Sequence, residues 1–150
     1  MTAAHCVEGV NEVEVLHPSK HANTFKATVR KRDEHRDLAI LDHQIPATEY
    51  FELDPISHAI AAGDSMTAVG YPDWAPGDPL NIRPGTISAL TIKSKVELIE
   101  VTQKLAQGMS GGPILDANDA VAGIIYKGGP DEGRDFAIHI EVLKDWLKEG

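Results

Sequence analysis

The sequence predicts an all-β fold, a barrel or a sandwich, that ends in one short α-helix. Short apolar runs separated by Gly, Pro, Asn and Asp fill most of the chain, which is the pattern of many short strands joined by turns. Residues 11–15 alternate between polar and apolar side chains, as a half-exposed strand does. The last segment instead places Ile140, Leu143 and Leu147 at helical spacing, so we predict a helix over Ile140–Lys148.

Nine segments are predicted to be strands because each is short, largely apolar and bounded by turn residues. In chain order they are Glu12–Leu16, Thr24–Arg30, Leu38–Asp42, Ser65–Gly70, Gly85–Ile92, Leu98–Gln103, Pro113–Leu115, Val121–Tyr126 and Asp135–Ile138. Asp116–Asp119 supplies the turn residues of a hairpin. Tyr71–Pro84 holds four prolines and is predicted to be a long surface connection.

Composition places the chain among globular proteins of one domain or one two-lobed unit. Its 150 residues are 42% hydrophobic and 25% charged, and the formal net charge is −9. Nucleic acid is therefore not expected as a partner, since phosphate binding needs a basic surface. No apolar run approaches about 18 residues and no basic stretch precedes an apolar one, so we expect neither a membrane span nor an export signal. Cys6 is the only cysteine, which excludes an intramolecular disulfide.

Three segments carry residues suited to nucleophilic catalysis. The chain opens with MTAAHC, continues with RDLAIL from Arg36 and later reads GMSGGP from Gly108. A serine hydroxyl needs a base to take its proton, and that base must be oriented by an acceptor on its other nitrogen. His5, Asp37 and Ser110 are the candidates for base, orienting carboxylate and nucleophile. Taken singly, these segments also fit a core turn, a buried strand with an acidic start and a glycine-rich turn.

Together, and in this order, the three motifs resemble those of the chymotrypsin- and trypsin-like serine proteases, of the compact bacterial HtrA-like type. Ala62–Pro72, Gly85–Leu90, Gly123–Gly128 and Phe136–Trp146 resemble later strands and the closing helix of that group. The resemblance implies two six-stranded Greek-key β-barrels, the first of them partial over residues 1–58 and the second over 59–150 with a short C-terminal helix. It also implies a serine endopeptidase that acts on polypeptides without a cofactor or metal.

The same resemblance assigns binding roles to further residues. The N–H groups of Gly108 and Ser110 would form the oxyanion hole, which stabilises the negative oxygen of the intermediate. Tyr126, Lys127 and Gly128 would contact the substrate. Lys104 stands where trypsins place a pocket aspartate, which implies a preference for an acidic side chain before the cut bond. Alternatively, Lys104 points to solvent or pairs with Asp135.

Four features depart from the family pattern. Met109 replaces the aspartate that in digestive members pairs with a newly cut N-terminus, so the resemblance implies no activation by that ion pair. Tyr126 stands where many members have a small hydroxyl residue. Cys6 lacks the partner that this motif often has. Only four residues precede His5, so the first barrel is expected to lack its first two strands.

An incomplete barrel leaves an open strand edge, which we expect a second copy of the chain or a missing segment to cover. It also leaves an alternative function open, that of an inactive protease-like module that binds peptides without cutting them. His17 and His21 lie four apart near Cys6, but one cysteine falls short of the usual structural zinc sets, and we expect no metal. Gly128–Gly133 lacks the Lys-Ser/Thr ending of a phosphate-binding loop. Compact members of the family are commonly secreted or periplasmic, and the sequence leaves the compartment open.

Overall fold

The computed structural model describes residues 1–16, 24–46, 50–53, 59–75, 77–128 and 134–149. These residues form a short 3₁₀ turn at Ala4–Val7, nine strands and one α-helix. The strands are β1 (Glu12–Leu16), β2 (Thr24–Asp33), β3 (Leu38–His43), β4 (Ser65–Gly70), β5 (Asn81–Lys93), β6 (Val96–Val101), β7 (Pro113–Leu115), β8 (Val121–Gly128) and β9 (Asp135–His139), and the helix is α1 (Ile140–Lys148). The nine predicted strands and the predicted helix are confirmed in chain order.

The strands form two antiparallel units. The first is a three-stranded sheet in the order β1-β2-β3, and the second is a closed barrel in the order β4-β5-β6-β9-β8-β7. The outer edge of β3 takes one further bridge, between Thr2 and Ala39, whereas the outer edge of β1 has no strand partner in the described part of the chain. The expected closed barrel and the expected partial first unit are therefore confirmed. That a second copy or another segment covers the open edge stays a prediction.

Two predicted boundaries around β5 are wrong. The predicted surface connection Tyr71–Pro84 ends early, because β5 begins at Asn81 and Pro84 lies within it, opposite Thr67 of β4. The side-chain amide of Gln103 donates to the backbone carbonyls of Met66 and Arg83 at 3.0 and 3.2 Å, so a side chain supplies donors beside Pro84, which has no N–H of its own.

The β5–β6 hairpin is also longer than predicted, since the two strands are joined by Ser94 and Lys95 alone. Both residues have positive φ angles, 50° and 67°. Such two-residue turns usually use Asn or Gly, so the residues at this turn gave no signal in the sequence. The predicted second strand of the hairpin, Leu98–Gln103, accordingly begins two residues earlier, at Val96, and ends at Val101.

The apolar core joins the two units. One buried cluster fills the inside of the barrel and includes Met66, Ile99 and Met109. A second cluster packs Leu38 of the first sheet with barrel residues and with Trp146 of α1. Leu38 follows Asp37 directly, so the side chain after the candidate carboxylate is anchored between sheet, barrel and helix. Burial of one such leucine contributes about 1.5–3 kcal/mol.

Some sequence predictions fall outside the described residues. These are the histidine pair within residues 17–23, most of the glycine-rich segment over 129–133, and residues 54–58 at the expected boundary between the two units. Among the described residues, no helix is long and apolar enough to cross a membrane.

Candidate active site

The turn that carries His5 is held against the start of β3 by backbone hydrogen bonds. The N–H of Thr2 donates to the carbonyl of Ala39 at 3.0 Å, and the N–H of Ala39 donates back to Thr2 at 2.9 Å. The N–H of Ala4 donates to the carbonyl of Asp37 at 3.1 Å. These bonds fix the backbone of His5 relative to Asp37, although the two residues are 32 positions apart.

The carboxylate of Asp37 accepts two hydrogen bonds from His5. Its Oδ1 accepts the backbone N–H at 2.8 Å, and its Oδ2 lies 2.6 Å from Nδ1 of the ring. The Asp37 side chain is 9% exposed and the His5 side chain 40% exposed. A buried carboxylate at this distance favours the tautomer with its proton on Nδ1, which leaves a lone pair on Nε2.

Asp37 itself has a backbone conformation that non-glycine residues seldom adopt. Its φ angle is +55°. Aspartate is among the residues that tolerate this region best, but the conformation persists only where the surroundings hold it. The turn between β2 and β3 therefore stores some backbone strain at the residue that orients His5.

The loop of Ser110 is bracketed by two glycines that lie against other segments. Gly108 has a φ angle of +95°, and a Cβ there would lie 2.8 Å from the carbonyl oxygen of Tyr71. Gly111 has a φ angle of +88°, and a Cβ there would lie 2.7 Å from the backbone nitrogen of Ala3. Since Ala3 is two residues before His5, the Ser110 loop passes directly beside the histidine turn.

Hydrogen bonding within this loop separates the N–H groups into two kinds. The N–H groups of Met109 and Gly112 donate to carbonyls of the same loop at 3.1 and 3.0 Å, and that of Gly111 donates to Ile125 at 2.9 Å. The N–H groups of Gly108 and Ser110 have no acceptor among the residues that the structure describes. These are the two groups predicted for the oxyanion hole.

Met109 lies between these two donors, and its side chain points the other way. It is 1% exposed and packs in the barrel core. A methionine at this position therefore anchors the loop through apolar burial rather than through an ion pair.

A cavity of about 260 Å³ opens beside His5. It is lined by Ala4, His5, Glu8, Glu34, Asp37 and Tyr126. Glu34 and Tyr126 also line a larger neighbouring cavity of about 620 Å³, whose wall includes Phe136. The sequence placed Tyr126 near the catalytic residues, but nothing in the sequence pointed to the two glutamates.

The predicted substrate-contacting strand has a free edge. Lys127 and Gly128 pair with Phe136 and Asp135 of β9, whereas the pairing of β8 with β7 ends at Ile124. Ile125 exchanges backbone hydrogen bonds with Gly111 and Gly112, and in the described part of the chain no strand pairs with this edge of β8 beyond Ile125. An extended peptide could add to such an edge through backbone hydrogen bonds.

Lys104 is exposed at the start of the Ser110 loop. Its backbone carbonyl accepts a hydrogen bond from Nη1 of Arg83 at 2.7 Å. Among the described ion pairs, none joins Lys104 to Asp135, so the pairing alternative is not observed. The acidic preference that Lys104 implies stays a prediction.

No direct hydrogen bond joins His5 to Ser110 in the described part of the structure. In enzymes without bound substrate, such bonds are often long and tighten only when the substrate binds. The described residues also contain no group of three or more His, Cys, Asp and Glu that could hold a metal ion. Cys6 is a free thiol at the surface.

Residues 1–124 match the family model described as a trypsin-like peptidase domain. The chain belongs to this family. The match covers the first sheet and the barrel as far as β8, including the His5, Asp37 and Ser110 segments.

Several curated relatives are named as proteases. Serine protease Rv3671c of Mycobacterium tuberculosis is 31% identical over 88% of this chain and 34% of its own length. Putative serine protease HhoA of Synechocystis is 32% identical over 96% of this chain and 38% of its own length. The chain thus spans about a third of the length of these relatives.

Solved structures show the same fold. The HtrA-type protease AlgW with a decapeptide superposes with a TM-score of 0.83 at 23% identity, over 98% of this chain and 46% of that one. The Rv3671c protease in an inactive form superposes with a TM-score of 0.75 at 25% identity, over 99% of this chain and 76% of that one. The resemblance to HtrA-like trypsin-type proteases is confirmed, while the roles of individual site residues stay predictions.

Proposed function

We propose that this chain is the catalytic domain of a serine endopeptidase that cuts polypeptides through an acyl-enzyme intermediate. The hydroxyl of Ser110 attacks the carbonyl carbon of the peptide bond, and Nε2 of His5 takes the hydroxyl proton. The same nitrogen then protonates the leaving amine, and water hydrolyses the acyl-serine by the reverse proton path. The N–H groups of Gly108 and Ser110 stabilise the oxyanion in each half-reaction.

The observation that carries this proposal is the double hydrogen bond from His5 to Asp37. The backbone N–H and the Nδ1 of His5 both meet one buried carboxylate, which leaves the ring little freedom to turn. This arrangement holds the ring orientation and the tautomer that a general base requires. The two N–H groups without acceptors in the neighbouring loop support the same reaction.

The substrate we infer is an extended polypeptide along the free edge of β8. Support comes from the strand edge that is unpaired beyond Ile125 among the described residues, next to the cavity lined by His5 and Tyr126. The structure of the related AlgW was solved with a decapeptide, which is a ligand of this chemical kind. The binding of a peptide backbone by strand addition is largely independent of side chains, so specificity would come from the adjoining cavities.

Labelling with a fluorophosphonate tests the catalytic proposal. The reagent reacts with a serine only where a base and an oxyanion hole activate it, so we expect covalent labelling of the wild type at Ser110 and none in Ser110→Ala. Mass spectrometry of the labelled peptide identifies the site. A second serine, Ser65 at the start of β4, gives the matched control, because Ser65→Ala leaves the His5 cavity untouched.

Two observations on the described residues favour the second candidate, a module that binds peptides without cutting them. No hydrogen bond joins His5 to Ser110 among the described residues, and the first sheet that supports the His5 turn has an open edge. A folded protein that binds an extended peptide but takes up no fluorophosphonate would support this candidate and refute the endopeptidase.

A further inference from the structure

Arg36 links the turn that carries Asp37 to the far end of the chain. Its backbone N–H donates to Oδ1 of Asp33 at 2.9 Å, and its Nη1 donates to Oδ2 of the same carboxylate at 2.5 Å. Its Nη2 donates to Oε1 of Glu149 at 3.0 Å. One side chain therefore closes the β2–β3 turn on itself and ties it to the residue that caps α1.

The end of α1 is a fixed anchor for this contact. Trp146 is 2% exposed, and its carbonyl accepts the backbone N–H of Glu149 at 3.1 Å. The same carbonyl accepts Nζ of Lys31 at 2.8 Å, and that ammonium also lies 4.5 Å from the centre of the Trp146 ring. Because Lys31 belongs to β2, it gives the sheet a second contact with the helix end, besides that of Arg36.

The ion pair of Arg36 with Asp33 is better placed than an ordinary surface pair, whereas the Glu149 side chain is 51% exposed. The Arg36 side chain is 28% exposed and that of Asp33 is 18% exposed, so water screens this pair less than it screens an exposed one. Burial alone would raise the pKa of Asp33, but the hydrogen bonds from Arg36 outweigh that effect and the pKa lies below its usual value. The two carboxylates in turn raise the pKa of Arg36.

The residue next to this assembly has a strained backbone. Asp37 follows Arg36 directly and has a φ angle of +55°. Without a clamp on the preceding residue, the turn could relax toward commoner backbone angles and move the carboxylate away from His5. A misplacement of about 1 Å at a catalytic group can lower a rate about a hundredfold.

We propose that Arg36 is a positioning residue, which fixes the Asp37 carboxylate on His5 by bridging the β2–β3 turn to Glu149 at the end of α1. The closing helix is thereby coupled to the triad, although Arg36 and Glu149 are 113 positions apart. This inference rests on the proposed function, since positioning Asp37 matters for a rate only if His5 acts as a base.

The test compares Arg36→Gln with Arg36→Lys and Glu149→Gln. We expect Arg36→Gln to lower kcat on a fluorogenic peptide at least about tenfold and to leave KM unchanged. A rate loss of that size corresponds to a shift of the carboxylate by less than about 1 Å. Arg36→Lys keeps the charge and should recover part of the loss. Glu149→Gln removes only the contact to the helix end and should give a smaller loss in the same direction.

A matched control and a second readout separate positioning from simple stability. Glu141 lines a cavity beside Arg36 but pairs with Lys144 on α1 at 3.7 Å, and the described hydrogen bonds and ion pairs of Arg36 do not include it, so Glu141→Gln should leave kcat unchanged. The downfield proton resonance of His5 Nδ1–H, which reports its hydrogen bond to Asp37, should shift or broaden in Arg36→Gln and remain in Glu141→Gln. The resonance is measured without substrate, so it tests the inference even if the protein proves not to cut peptides.

Two outcomes would overturn the inference. One is a folded Arg36→Gln variant with wild-type kcat and an unshifted His5 resonance. The other is an equal loss in Glu149→Gln and Glu141→Gln, which would reflect general loosening of α1. If Arg36→Gln does not fold, Glu149→Gln decides by the same two measurements.

Discussion

Replacing Asp37 with asparagine tests the central geometry with the smallest change of shape. The asparagine oxygen can accept only one of the two donors that His5 presents at 2.8 and 2.6 Å. If the asparagine oxygen keeps the hydrogen bond from the His5 backbone N–H, the amide N–H₂ group faces Nδ1 of the ring and donates to it. The ring then carries its proton on Nε2, where it cannot take the proton of Ser110.

The size of the effect follows from two contributions. The negative charge of Asp37 stabilises the imidazolium of His5 by about 4 kcal/mol, for charges about 4 Å apart at the effective dielectric of a partly buried site. Restoring the productive tautomer against a mismatched hydrogen bond adds about 1.5–3 kcal/mol. The sum corresponds to a loss of kcat of about 10⁴-fold or more, which agrees with the effect of this change in Ser-His-Asp triads generally.

Peptide hydrolysis and the rate of fluorophosphonate labelling measure the loss of activity, and circular dichroism checks the fold. Asp42→Asn is the matched control, since Asp42 lies on β3, is 56% exposed and pairs with Arg30. It should keep full activity. An Asp37→Asn variant that is folded and retains more than about a tenth of wild-type kcat would refute the role assigned to the carboxylate, because both contributions above would then be absent.

Three other predictions concern the loop, the pH dependence and the specificity. Gly111→Ala should abolish fluorophosphonate labelling and destabilise the fold, because its Cβ would lie 2.7 Å from backbone atoms at a φ angle of +88°. Gly9→Ala is the control, since Gly9 has a φ angle of +74° but nothing within 4 Å of the added Cβ. In thermal unfolding it should show only the smaller destabilisation that comes from backbone strain. The hydrogen bond from Arg134 holds the pKa of Glu100 below its ordinary 4.5, so this pair stabilises the fold at neutral pH and the contribution is lost as pH falls through that lowered pKa. Urea unfolding at neutral and acidic pH should therefore show a smaller pH effect in Arg134→Gln, and an unchanged pH effect would contradict the assignment. Lys104→Ala should remove any enrichment of Asp or Glu before the cut bond in a peptide library, and a wild type without such enrichment rules out the acidic preference.

The sequence predicted the strands well because their signal is local. A strand such as β1 shows its period of two in five consecutive residues, and α1 shows its helical spacing in nine. The predicted strand boundaries were wrong where the local sequence signal was weak or misleading. Ser94 and Lys95 turn the chain without Asn or Gly, and Pro84 lies inside a strand whose missing donor is offset by the side chain of Gln103.

The candidate site likewise combines features that the sequence predicted with features that only the structure shows. His5, Asp37 and Ser110 were predicted from the resemblance of three short motifs; in the structure His5 and Asp37 are hydrogen-bonded, and the catalytic roles of all three stay predictions. The structure also shows that the Ser110 loop lies beside the His5 turn. The contact is made at Gly111, where the absence of a side chain leaves room for the backbone of Ala3. Glu8 and Glu34 line the cavity beside His5, but neither belongs to a sequence motif that would have predicted this.

By itself the sequence determined which side chains are available, their order along the chain and the local periodicity of each element. Only the tertiary structure decided which of them meet: His5 with Asp37 across 32 residues, and Arg36 with Glu149 across 113. The physical reason is that a strand or helix pattern depends on neighbours in the chain, whereas these contacts depend on strand register and on the packing of α1 against the first sheet. Those are set by the sum of many distant apolar contacts, and no single segment encodes them.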